Sequence, residues 1–409
     1  MTKRNTFRVA IRQFDPFASA IKKQWASFCK TSGVDLTLEA IELDLHPLHE
    51  TLFENSGLKN GEWDVAFVCT DWLAEAHQNN ALLDIHTHLQ THPPTDYPNG
   101  WTDSLLRLQT FNTQILGLPY HDGPQCLIYR QDLFNDPSEQ AAYQQQYGKP
   151  LTIPQTWDDF AQIARFFTRP NENLYGTVFA AYPDGHNTVY DFCIQLWTRG
   201  GELFDASNHL TLNTPQAIDA LTFYRNILND TSAMHPQARE YDSVKSGLAF
   251  ANGNIAMMTN WFGFAAMSET IAETKVKNNV GVANIPHAHN CSSASLNVYW
   301  ILGIGSGSPH ADVAYSFLQH CASASQDKLL TLEGGIGCRK STWADQEVNT
   351  TIPFYHMLEP IHKNARELPR LTHWAQLAEI IDQLVINTIN TNRPIADLVQ
   401  EAQQIADTK

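Results

Sequence analysis

Five short clusters pair a flat aromatic ring with a side chain that can hydrogen-bond a hydroxyl: Asp71-Trp72, Tyr120-His121-Asp122, Asn187 near Tyr190, Asn260-Trp261, and Asn297 near Tyr299-Trp300. Rings stack on the apolar faces of polyhydroxylated molecules, while carboxylates, amides and guanidinium forks satisfy hydroxyls that lose water on burial. The third Gly-Leu-Pro residue, Pro119, delivers Tyr120, His121 and Asp122 together. Asp15 and Asp71 each have two readings, ligand contact or helix cap, and the Asp15-Pro16 pair is an ordinary N-cap sequence. Arg339 follows a Gly-rich turn; it could grip a hydroxyl pair or an acidic sugar bidentately, or form a surface ion pair. Trp25, Trp157 and Trp374 fall within helical spacing and read as packing residues.

Other chemistries lack their residues. The pairs His86/His88 and His287/His289 have no third ligand at recognisable spacing, so neither a metal nor a cofactor is expected. Gly303–Ser308 (GIGSGS) lacks the third glycine of a dinucleotide fingerprint and reads as a tight turn between strand and helix. No nucleophile elbow and no phosphate-binding P-loop occur. A net charge of −16, spread along 409 residues, argues against nucleic acid or an anionic membrane as partner. The seven cysteines are odd in number and contain no C-x-x-C pair, so buried thiols rather than disulfides or zinc are expected. The opening residues carry no apolar run of the kind a signal peptide uses, which by itself points to a cytoplasmic chain.

Positioning these residues requires strands that end where the clusters begin. Phe7, Val9 and Ile11 alternate with polar residues, and Phe17, Ile21, Trp25 and Phe28 then take up helical spacing. Residues 34–41 and 64–69 are the next strand candidates, and this alternation predicts parallel α/β sheets whose ligands gather at the strand carboxyl ends. Thr156-Trp-Asp-Asp159 has capping-box form, Thr214-Pro215 opens another helix, and Ser308-Pro309 repeats the device. The length exceeds one hydrophobic core, so two lobes are expected.

Several segments, in this order, resemble a known family. They are GLPYHDGPQCLIYRQDLF (117–134), PQTWDDFAQIARFF (154–167), GLAFANGNIAMMTNWFG (247–263), VGVANIPH (280–287) and GGIGCRKS (334–341). Together they resemble the family 1 extracellular solute-binding proteins of ATP-driven importers, the maltose-binding-protein-like group. The last segment departs from the pattern, since Cys338 stands where the family usually has proline before its basic residue.

The resemblance implies a two-lobe α/β fold of the type II periplasmic-binding-protein kind, with three crossings near 114–119, 281–287 and 322–336. The lobes would comprise 1–113 plus 284–325, and 114–283 plus 326–409. It implies a non-enzymatic, monomeric component of an ABC importer that binds a sugar, oligosaccharide, polyol or sugar acid and passes it to permease subunits. Ligand contacts would come from Asp15, Asp71, Trp72, Tyr120, His121, Asp122, Asn187, Tyr190, Trp261, Asn297, Tyr299 and Arg339. The implied location is the periplasm. Two alternatives use the same residues: a carbohydrate hydrolase with Asp122 and Asp191 as acid and base, and a cytoplasmic metabolite sensor on the same fold.

Overall fold

The computed structural model describes residues 4–408. These divide into two compact units, each assembled from separated stretches of chain. Unit 1 comprises residues up to Gly123, Asn297–Leu358 and Leu368–Thr372; unit 2 comprises Pro124–Leu296, Glu359–Glu367 and the residues from His373 onward. The chain therefore leaves unit 1 after Gly123 and returns at Asn297, later than the expected crossings. Residues 326–358, expected with the C-lobe, belong to unit 1. The reason is its bonding to the first part of the chain: Gln24 donates to the Gln326 carbonyl (3.1 Å), the Ile336 N–H donates to His121 Nδ1 (2.9 Å), and the Lys340 N–H donates to the Gly100 carbonyl (2.9 Å).

Nine strands form the two larger sheets of the described residues. In chain order they are β1 (Thr6–Arg12), β2 (Thr37–Leu43), β3 (Val65–Cys69), β4 (Leu118–His121), β5 (Gln125–Arg130), β6 (Tyr175–Val178), β7 (Ile255–Trp261), β8 (Val280–Ala283) and β9 (Trp300–Ile304).

The unit 1 sheet runs β2-β1-β3-β9-β4. The pairs β2-β1 and β1-β3 are parallel as expected, but β9 is antiparallel to both of its neighbours. A late strand returning from the other unit enters between β3 and β4, and its direction is set by where the chain re-enters rather than by a βαβ crossover. The helix Asp15–Ser32 packs on this sheet through Phe17, Ile21, Trp25 and Phe28. Phe7 of β1 stacks on Trp25 at 4.4 Å and meets Phe317 of the helix Ala311–Cys321 edge-on at 5.9 Å. Gly33 ends the first helix in the left-handed conformation, φ 72°, where a side chain would be strained.

In the unit 2 sheet, ordered β8-β5-β7-β6, only β6-β7 is parallel. Thr156 caps the helix Trp157–Phe167 by accepting the Asp159 N–H at 3.1 Å, as its capping-box sequence predicts. That helix lies so close to β6 that a Cβ on Gly176 would stand 1.8 Å from the Ala164 carbonyl oxygen. Thr214 likewise caps Pro215–Asn229. Ser308 is not the N-cap: the helix starts at Ala311 with His310 as its N-cap, and the Ser308 hydroxyl donates to Asp64 (2.6 Å) and accepts the His310 N–H (3.1 Å) in the turn before it. Gly307 sits in a turn so tight that a Cβ would lie 2.1 Å from the Lys59 carbonyl oxygen, which accounts for the glycines of 303–308 by packing.

All seven cysteines are free thiols, five of them buried. Trp25, Trp157 and Trp374 are buried, as their helical spacing predicts. His86 is paired with Gln90 and His287 with the Ala288 carbonyl. No helix among the described residues is long and apolar enough to cross a membrane.

Candidate functional site

One edge of the unit 1 sheet collects most of the sequence-predicted residues. Trp300, which begins β9, is in register with Cys69 at the end of β3 on one side and His121 at the end of β4 on the other. The turn Thr70–Trp72, the pair His121-Asp122, and the start of β9 therefore converge there, with the end of β1 on the same side of the sheet. Thr70 locks the junction by donating its N–H to the Tyr299 carbonyl (3.0 Å) and accepting the Tyr299 N–H on its hydroxyl (3.2 Å). Trp72 and Trp300 meet edge-to-face at 5.6 Å.

His121 is held neutral by geometry. The Ile336 N–H donates to its Nδ1 at 2.9 Å, so that nitrogen must carry a lone pair, and the Asp122 N–H returns a bond to the Ile336 carbonyl at 2.9 Å. Burial lowers its pKa to about 4, against an opposing pull from the Asp122 charge. Asn297 donates to the Ser104 carbonyl at 3.0 Å, which orients its amide and leaves Oδ1 as a buried acceptor. Asp71 and Asn297 line a small pocket with Arg370. Asp15 is exposed within the first helical turn; Phe14, not Asp15, is the N-cap, because the helix begins one residue earlier than the Asp-Pro reading requires.

Three of the proposed contacts are engaged inside unit 1. Tyr120 is buried between Phe17 and Phe67 and donates its hydroxyl to Gln24 at 2.8 Å. Tyr299 is buried with its hydroxyl on Gln109 at 2.6 Å. Arg339, 1 % exposed, lies 4.4 Å over the Trp101 ring and donates to the carbonyls of Thr95 (3.1 Å) and Ala322 (2.9 Å) and to Asp96 (3.2 Å). Its fork holds loops together, so neither the ligand grip nor the surface ion pair describes it.

Unit 2 presents a second edge of the same character. Trp261, the last residue of β7, is in register with Gln125, the first of β5, and its ring meets Tyr190 edge-to-face at 5.6 Å. Asn187 and Tyr190 belong to the opening turn of the helix Asn187–Trp197, which follows the loop leaving β6. His186 is the N-cap of this helix, and Asp184, two residues earlier, holds its entry: its Oδ1 accepts the N–H of His186 at 2.9 Å and of Asn187 at 2.8 Å. His186 Nδ1 and the Tyr190 hydroxyl share a hydrogen bond of 2.9 Å. Below them Asp191 accepts the Tyr224 hydroxyl at 2.7 Å, and Asp382 accepts that of Thr188. Burial raises Asp191 to about 7 despite the Tyr224 bond, with the Asp184 charge adding to the rise. Asp184 and His186 were missed in the sequence, although Pro183-Asp-Gly185 ahead of a helix is a turn-and-cap signal. Arg370 was missed because no local pattern announces it.

The bacterial extracellular solute-binding protein family matches residues 18–328. The chain belongs to that family. A probable ABC transporter-binding protein of Deinococcus radiodurans is 22 % identical over 371 residues, 88 % of this chain and 82 % of its own. Maltose-bound MalE3 of T. maritima superposes with a TM-score of 0.85 at 22 % identity, covering 98 % of this chain and 99 % of that one. A ribitol-bound solute-binding protein from Agrobacterium radiobacter K84 gives 0.86 at 21 % identity, with 98 % of both chains covered. The two-lobe α/β fold of these binding proteins is thus the fold of this chain. As a solute-binding protein it is not an enzyme, and the hydrolase reading is set aside; Asp191, its proposed base, is bonded to Tyr224 within a helical layer.

Proposed function

We propose that the protein binds a carbohydrate-type solute reversibly and serves as the capture component of an ABC importer. The observation that carries this reading is the pairing of aromatic faces with hydroxyl-binding groups at the sheet edge of each unit: Trp72, Trp300, His121, Asp122 and Asn297 in one, Trp261, Tyr190 and Asn187 in the other. Asp15 and Asp71 complete the proposed set. Tyr120, Tyr299 and Arg339 support it from behind. Family membership supports a place of work outside the cytoplasm, in the periplasm, where a monomer would hand its cargo to permease subunits. The solved relatives bound to maltose, ribitol and D-mannitol support the ligand class.

A thermal-shift screen against monosaccharides, oligosaccharides and polyols tests it. A ligand at about 100 times its dissociation constant adds about 2.7 kcal/mol to the folded state, a readily measured rise in Tm. No shift with any member of the panel refutes the proposal.

A further inference from the structure

Unit 1 holds, entirely within itself, a small pocket whose wall mixes an amide, a carboxylate and a guanidinium: Asn297, Asp71 and Arg370. Asn297 is 1 % exposed. Its Nδ2 donates to the Ser104 carbonyl at 3.0 Å, and exchanging the amide's oxygen and nitrogen would set oxygen against oxygen there, so its orientation is fixed. Ser104 lies outside the pocket wall, which leaves Oδ1 as the edge of the amide turned to the pocket. That oxygen is buried and accepts no hydrogen bond from any described residue. Leaving a buried acceptor unsatisfied is costly, so the pocket calls for a donor.

Arg370 supplies the opposite polarity. It is exposed, lies 5.4 Å over the Phe111 ring, and donates from Nη1 to the carbonyls of Thr110 (2.6 Å) and Arg107 (3.2 Å). Those bonds anchor the guanidinium, while its Nε and Nη2 make no hydrogen bond to any described residue. The cavity measures about 10 Å³, room for a single oxygen atom rather than a sugar ring or an acetamido group. The group that fits must donate to Asn297 and accept from Arg370 at one atom. A hydroxyl does both. A carboxylate brings no proton to Asn297 and meets the Asp71 charge, and an ammonium cannot accept from Arg370.

We propose that this pocket is a subsite for one hydroxyl of the ligand, which donates to Asn297 and accepts from Arg370, and that these two residues decide which hydroxyl pattern is bound. The proposal rests on the carbohydrate reading above and deepens it, since it makes one hydroxyl obligatory at a site that unit 1 forms on its own.

Titration calorimetry on the intact protein tests this with D-glucose, D-tagatose, maltose, ribitol and D-mannitol, with the monodeoxy derivatives of each compound that binds, and with glucuronate and mannonate. Removing one particular hydroxyl should weaken binding about 100-fold, because the groups built to meet it are left unpaired. Arg370→Ala should weaken the parent compound about tenfold or more, yet leave the affinity for that one deoxy derivative within about threefold of wild type, since the bond it removes is already missing there. Asn297→Ala should show the same pattern. It also loses the bond to Ser104, so Arg370→Ala, at an exposed position, carries the test should Asn297→Ala fail to fold. A parent compound that keeps its affinity within about threefold in Arg370→Ala overturns the proposal, as does a deoxy series in which no position matters. An Arg370-dependent preference for glucuronate or mannonate over its neutral partner overturns it too, by making the pocket a carboxylate site. Each of these results leaves carbohydrate binding itself intact. Binding of no compound in any series overturns that reading and this proposal with it.

Discussion

Replacing Asp191 with Asn should change how the stability of the protein depends on pH. The wild-type carboxyl is buried in the layer of helices Asn187–Trp197, Pro215–Asn229 and Trp374–Asn390, and burial raises it from 3.8 to about 7. The Tyr224 hydroxyl at 2.7 Å favours the ionised form but only partly offsets that rise. Because the folded pKa lies above the unfolded one, the folded state keeps a proton that the unfolded chain releases. The contribution of Asp191 is therefore greatest below about pH 4 and is lost as pH rises towards about 7. Three pKa units correspond to about 4 kcal/mol at most, and relaxation around a buried charge brings the expected loss to roughly 2–4 kcal/mol. Asn cannot ionise, yet its carbonyl still accepts the Tyr224 hydroxyl. Urea unfolding of both proteins from pH 4 to pH 8 gives the difference directly. The variant should gain on wild type by that amount as pH rises, with the gain complete by about pH 8. A difference flat to within about 0.5 kcal/mol, or one running the other way, refutes the reasoning.

His121→Gln should reduce acid sensitivity: a folded pKa of about 4 makes the wild type lose stability as pH falls below the ordinary 6.5. The variant should recover up to about 3 kcal/mol of that loss, read from acid unfolding curves. Trp261→Ala should weaken carbohydrate binding by about 2–3 kcal/mol, because it removes the stacking face that Tyr190 supports, with little change in Tm; calorimetry measures both arms. Arg339→Lys should do the reverse, lowering stability by about 2–4 kcal/mol while leaving the dissociation constant within about threefold, since an ammonium cannot serve Thr95, Ala322 and the Trp101 face together.

Local rules made much of the fold legible. The helix caps at Thr156 and Thr214 depend on a side chain meeting an N–H three residues on, so their sequences announce them. The apolar stripe from Phe17 to Phe28 gave the first helix its buried face. Within the candidate site, residues at strand ends were readable for the same reason, as with Asp71-Trp72 and Trp261. Residues that reach the site through distant packing were not. Arg370 arrives on a five-residue return to unit 1, whereas Asp184, which binds the N–H groups of His186 and Asn187, carried a local signal in Pro183-Asp-Gly185 that was not read.

What the sequence by itself determined is the family, the strand-to-helix rhythm of the opening residues, and the absence of any cysteine pairing pattern, because each rests on residues close together or on ordered motifs. Only the tertiary structure decided which aromatic and polar groups stay at the sheet edge and which turn inward. Tyr120 and His121 are neighbours, as are Tyr299 and Trp300, yet the two tyrosines end on Gln24 and Gln109 while His121 and Trp300 pair across the sheet edge. Successive residues of an extended chain point to different surroundings, and nothing in their types says which surroundings hold the core. Arg339 shows the same limit. Its guanidinium matches a ligand's hydroxyls and a ring of backbone carbonyls equally well, and only the arrival of Trp101, Thr95 and Ala322 around it decided between them.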